Sequence, residues 1–179
     1  MVRPSLTRQR IQAVARELFA QKGVQNTSLQ EIADRLGITK PALYYHFASR
    51  EDLVRSIVQP LIDDGEAFLQ GLESEAGLQP RTVLERYFDF IHEHRELLLI
   101  ILAELPTLSE LGIVDGVLSW RRRLTALLFP PEPTPAQSVR AAVALGGLQD
   151  CPILFPDAPV DELRRQAVDA ACAALGVTD

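Results

Sequence analysis

Apolar residues recur along this chain at helical intervals, and glycine or proline marks where most runs stop. Ile11, Val14, Ala15, Leu18 and Phe19 form one stripe. It predicts a helix over Leu6–Gln21, with Thr7 as N-cap and Gly23 as its stop. Leu29, Ile32, Ala33 and Leu36 form a second stripe, closed by Gly37 in the manner of a left-handed C-cap. Its start is offered twice, by Thr27 with Gln30 and by Ser28 with Glu31, each a capping-box pair. Thr39 then caps a short helix, Lys40–Phe47, whose Pro41 falls in the first turn, where the amides have no intrahelical partner. So short a helix does not stand alone and must be held by Leu43 and Phe47, an inward i, i+4 pair. Its other face carries Lys40, Tyr44, Tyr45 and His46 outward.

The rest of the chain repeats the helical period. Ser49 caps a long helix from Arg50 to about Glu75, with Asp52 at its third position and Leu53, Ile57, Leu61, Phe68 and Leu72 inward. Pro60 lies inside it and removes the amide that the Ser56 carbonyl would accept, so a kink is expected there, either as a hinge or as a static bend. Further helices are predicted over Pro80–His94, over Arg95–Leu105, which is nearly all apolar, and over Ile113–Phe129. Phe129–Pro135 (FPPEPTP) is a stiff connector, followed by a helix over Ala136–Asp150. CPILFPDAP, residues 151–159, is expected to be a proline-broken loop, and Val160–Leu175 the closing helix. No strand pattern or internal repeat competes, so the expected fold class is all-α.

Charge sharpens this picture. The whole chain carries −6, but residues 1–50 hold eight Lys/Arg against three Asp/Glu, a net of +5, and the remaining residues carry −11. A basic N-terminal segment on an acidic body orients the former toward phosphates. A cation, two phenols and an imidazole on the free face of a short helix suit a DNA major groove, with its acceptor edges and flanking phosphates. The N-terminal MVRPSLTRQR has no apolar signal core and the longest apolar run, Leu97–Ala103, is too short to span a bilayer, so the expected location is the cytoplasm. Cys151 and Cys172 make no disulfide framework, the three histidines are not grouped with other ligands, and neither metal nor cofactor is implied.

The segment TSLQEIADRLGITKPALYYHFASREDL, residues 27–53, resembles the DNA-binding head of the TetR family of transcriptional regulators, closely from about Thr7 to Leu53 and weakly beyond. The resemblance implies a three-helix head, residues 1–50, joined by a long helix to a ligand-binding and dimerisation body, residues 51–179. By it, Lys40 and Tyr44 match positions that enter the groove, and Tyr45, His46 and Arg50 match positions that contact phosphate. Thr27 and Ser28 can donate hydroxyls and, with the helix N-terminus behind them, backbone amides to a phosphate. Thr39 borders the same face, and Pro41 offers only apolar contact, for instance to a thymine methyl. Arg8 and Arg10 are divided between backbone contact and solvation.

In the resembled family the last two helices form a four-helix interface between protomers. The small and apolar residues here that would build it are Val139, Val143, Gly146, Gly147, Leu163, Ala167, Ala170, Ala171 and Ala174. Phe68, Tyr87, Phe90, Ile101, Glu104 and Trp120 could line an effector cavity, though each suits an ordinary core equally well. The expected function is a repressor released from a pseudo-palindromic operator by a small molecule. The alternatives are a helical protein-interaction or ligand-binding module without DNA binding, and a helical enzyme. No nucleophile–base pair, Gly-rich phosphate loop or metal-ligand spacing supports the last.

Overall fold

The computed structural model describes residues 6–103, 113–129 and 132–177, and among them every element is helical. The helices are α1 (Leu6–Lys22), α2 (Leu29–Leu36), α3 (Lys40–His46), α4 (Arg50–Ser74), α5 (Pro80–Ala103), α6 (Ile113–Leu128), α7 (Pro135–Leu154) and α8 (Val160–Leu175). They divide into two compact units, residues 1–62 with 96–112 and residues 63–95 with 113–179, to both of which α4 and α5 contribute.

In the first unit Ile11, Ala15, Leu18 and Phe19 of α1 are buried, as are Leu29, Ile32 and Ala33 of α2. Gly37 closes α2 in the left-handed region at φ 66°, its amide shared between the carbonyls of Ala33 and Asp34. Leu43 and Phe47 are wholly buried and hold the seven-residue α3. Each such side chain stabilises by about 1.5–3 kcal/mol, which is what an isolated helix of this length lacks. Thr7 lies within the first turn of α1, whose observed start is Leu6, so it is not the cap expected for it.

Three boundaries differ from the sequence expectation. Pro80–Ala103 is one helix, not two, because nothing between His94 and Arg95 interrupts the ladder. The second correction is that α7 continues through Pro152 to Leu154. One proline removes one amide near the helix end, while its ring is buried and Phe155 N–H still closes the last turn on Cys151. Third, Pro135 is the first residue of α7 and not the last of a connector, since Thr134 accepts from the Gln137 amide in a complete capping box. The helix α4 also runs without a break through the exposed Pro60.

The second unit is tied by side chains from facing helices. The guanidinium of Arg123 on α6 bonds both Glu73 oxygens at 2.7 Å and Glu66 at 2.6 Å on α4. Arg121 reaches Gln149 at 3.3 Å, and Arg122 is exposed. The Arg121–Arg123 run is therefore three residues on three sides of a helix, one of them paired to body carboxylates. On α8, Arg164 forks onto Asp89 of α5 at 2.7 and 3.0 Å. Cys172 is buried and Cys151 half-buried, and they are not joined in a disulfide.

Candidate nucleic-acid interface

The turn before α2 sets the first part of the site. Thr27 is only 1% exposed and its hydroxyl donates to the Gly23 carbonyl at 2.8 Å. Its expected phosphate contact is thus corrected: the side chain faces inward and shapes the turn that carries Ser28. Ser28 is exposed and caps α2 by accepting from the Glu31 amide at 3.1 Å. Glu31 does not reach back to complete the box, because its carboxylate pairs with Lys22 of α1.

Thr39 accepts from the Ala42 amide at 3.3 Å and so starts α3. With Leu43 and Phe47 beneath, the helical period turns Lys40, Pro41, Tyr44 and Tyr45 outward. Tyr45 is 87% exposed and Tyr44 44%. The Lys40 ammonium lies 5.9 Å from the Tyr44 ring centre, and the half-buried His46 meets Tyr45 edge-on at 5.3 Å. Lys40 with Tyr44, and Tyr45 with His46, thus form two neighbouring pairs on the uncovered side of α3.

Arg50, at the start of α4, is half-buried and leans on the turn between α1 and α2, with N–H groups 3.4 and 3.3 Å from the Gln25 carbonyl and side-chain oxygen. Sequence reasoning missed Gln25, an ordinary turn residue whose role appears only once Arg50 folds against it. Beside it, Glu51 is held below its ordinary range by the backbone amide at the helix start and by Ser49. Arg10 is exposed, whereas Arg8 turns inward to the end of α3, where its Nη1 donates to the His46 carbonyl at 2.6 Å.

The expected effector residues are only partly brought together. Phe68 and Phe90 stack at 4.8 Å, and Trp120 meets Phe90 edge-on at 6.4 Å. Gly65 makes room for that indole, since an added Cβ would overlap the Trp120 ring. Tyr87 is buried, 3.5 Å from Gln149, and burial pushes its phenol up to about 12. Ile101 belongs to the other unit, and Glu104 lies outside the described residues. A groove of about 690 Å³ in the first unit, lined by Ala13, Arg16, Phe19, Leu97 and Ile100 among others, involves none of the six.

Of the expected dimer residues, Val139 and Val143 are 64% and 62% exposed. Val143, with Gly147 and Ala170, also exposed, borders a shallow apolar groove of about 200 Å³ on α7 and α8. Gly146 and Ala174 are half-buried. Leu163, Ala167 and Ala171 are already buried within their own unit and serve the α7–α8 seam.

An all-helical chain whose N-terminal helix-turn-helix is braced from beneath defines a helix-turn-helix regulator fold. Residues 11–57 match the family described as bacterial regulatory proteins, tetR family. The regulator YerO of Bacillus subtilis is 33% identical over 102 residues, 54% of this chain and 35% of that protein. The repressor KstR2 of Rhodococcus jostii is 38% identical over 71 residues, 37% of this chain and 35% of KstR2. The chain thus spans about a third of the length of these curated relatives. The crystal structure of Mycobacterium smegmatis AmtR shares the fold with a TM-score of 0.74 at 21% identity, covering 100% of this chain and 91% of that one. Residues 11–57 thus carry a domain of the tetR regulator family, and the fold of the chain is that of a TetR-type regulator of known structure. Among the described residues no helix is long and apolar enough to cross a membrane.

Proposed function

We propose that this protein is a cytoplasmic, effector-released repressor that binds a pseudo-palindromic DNA operator as a homodimer. Residues 1–50 form the DNA-binding head and residues 51–179 the ligand-binding and dimerisation body. The observation that carries this reading is the outward Lys40–Tyr44–Tyr45 face of a short helix whose underside is wholly buried. Lys40 and Tyr44 enter the major groove, with Pro41 in apolar contact. Tyr45, His46, Ser28, Thr39 and Arg50 dock on the flanking phosphates, which supply affinity without sequence information. Few of these side chains read base edges, so DNA shape contributes to the preference.

Dimerisation uses the exposed stripe of α7 and α8, where Val139, Val143 and Gly147 recur every fourth residue and small side chains permit close helix approach. Two heads then meet two half-sites whose spacing follows from the separation of the recognition helices. The effector acts by binding one spacing of the heads better than the other. The Phe68–Phe90–Trp120 cluster and Tyr87 support an apolar ligand.

Selecting duplexes from a random pool with the purified protein, then gel shifts on the enriched and a scrambled duplex, tests the reading. Tyr45→Phe and Arg50→Ala are expected to weaken binding to both duplexes, and Lys40→Ala also to narrow the difference between them. Unchanged affinity in both Tyr45→Phe and Arg50→Ala would remove the docking face.

A further inference from the structure

The recognition helix ends in an unusual way. No glycine follows it; Phe47 closes it with extended backbone (φ −139°, ψ 116°), and its amide takes only the Leu43 carbonyl. The carbonyls beyond Leu43 carry the partial negative charge of a helix C-terminus. A residue from another helix answers that charge. Arg8 of α1 donates Nη1–H to the His46 carbonyl at 2.6 Å, and its guanidinium lies over the Phe47 ring, 4.2 Å from the centroid.

One planar cation therefore grips the last helical carbonyl and packs on the aromatic that anchors the helix. The two contacts flank the peptide between His46 and Phe47, and the preceding turn carries Tyr44 and Tyr45. We infer that Arg8 is a positioning residue for sequence reading: it fixes where the end of α3 sits, instead of meeting phosphate itself. Its side chain is engaged inward, unlike that of the exposed Arg10. The inference rests on the DNA-binding reading above, which it deepens by assigning specificity to a residue that does not touch DNA.

Fluorescence anisotropy with the enriched and the scrambled duplex, from 50 to 200 mM salt and well below each variant's melting temperature, tests it. Arg8→Ala is expected to lose about tenfold or more on the enriched duplex, the equivalent of one good charged hydrogen bond. Its affinity for the scrambled duplex and its salt slope should stay those of the wild type. Arg8→Lys, which keeps a donor but not the planar stack, should fall between, and it carries the test if the alanine variant does not fold.

Equal losses on both duplexes with a slope shallower by about 0.9 would make Arg8 a phosphate contact and overturn the inference. A lower melting temperature with an unchanged ratio between duplexes would reduce Arg8 to a stabilising residue, which also overturns it. A wild-type protein that does not distinguish the two duplexes defeats the DNA-binding reading first, and the Arg8 inference with it.

Discussion

Pro60 inside α4 makes a sharp energetic demand on the first unit. A proline at this position supplies no amide to the Ser56 carbonyl four residues earlier. That carbonyl is answered from α1, where the Gln12 side-chain amide donates to Ser56 O at 3.2 Å and to Ser56 Oγ at 3.0 Å. The Ser56 hydroxyl in turn donates to Leu53 O at 2.8 Å. The contact is half-buried, so water repairs only part of its loss. With a net value of about 0.5–1.5 kcal/mol per hydrogen bond and a further penalty for an unanswered carbonyl, Gln12→Ala should cost about 1–2 kcal/mol. In a chain of this size that lowers the melting temperature by about 2–8 °C. Pro60→Ala restores a donor within the helix, so in that background Gln12→Ala should cost about 1 kcal/mol less. Urea unfolding of the wild type, both single variants and the double variant, at one fixed protein concentration, measures the coupling directly. Equal cost of Gln12→Ala in both backgrounds would refute the claim that Gln12 stands in for the missing amide.

Gly65→Ala should destabilise despite its better helix propensity, because displacing the Trp120 ring costs about 1–3 kcal/mol against about 1 kcal/mol gained; thermal melts with indole fluorescence would check both effects. Arg123 holds the carboxyls of Glu66 and Glu73 below their ordinary value of 4.5 through its hydrogen bonds. The stability they contribute is present above that value and is lost as pH falls through the lower folded-state values. Arg123→Met should therefore melt lower at neutral pH and lose less on acidification, and parallel melting curves would count against the pairing. Tyr87 keeps its proton to about 12 while an unfolded tyrosine loses it at 10.0, so stability should decline as pH rises through that interval. Tyr87→Phe should flatten the decline, as read by alkaline melts.

The head was nearly transparent to sequence reading because its signals are local. A left-handed glycine, capping hydroxyls and an i, i+4 pair each act within a few residues, and Gly37, Ser28, Thr39, Leu43 and Phe47 stand where those rules put them. The misreadings came where a local rule has two outcomes. Thr27 and Ser28 both offer a cap, and only the fold turns one inward. Pro152 reads as a breaker, yet at the end of a buried helix it costs a single hydrogen bond.

By itself the sequence determined the all-helical class, the position of the short outward-facing helix and the contrast between a basic head and an acidic body, because helical period, capping and charge act between near neighbours. Only the tertiary structure decided that Arg8 grips the end of α3, that Gln25 meets Arg50, and that Gln12 answers a carbonyl left open by Pro60. Each of those joins residues 25 to 44 positions apart, and no local pattern encodes which long polar side chain will meet which distant acceptor.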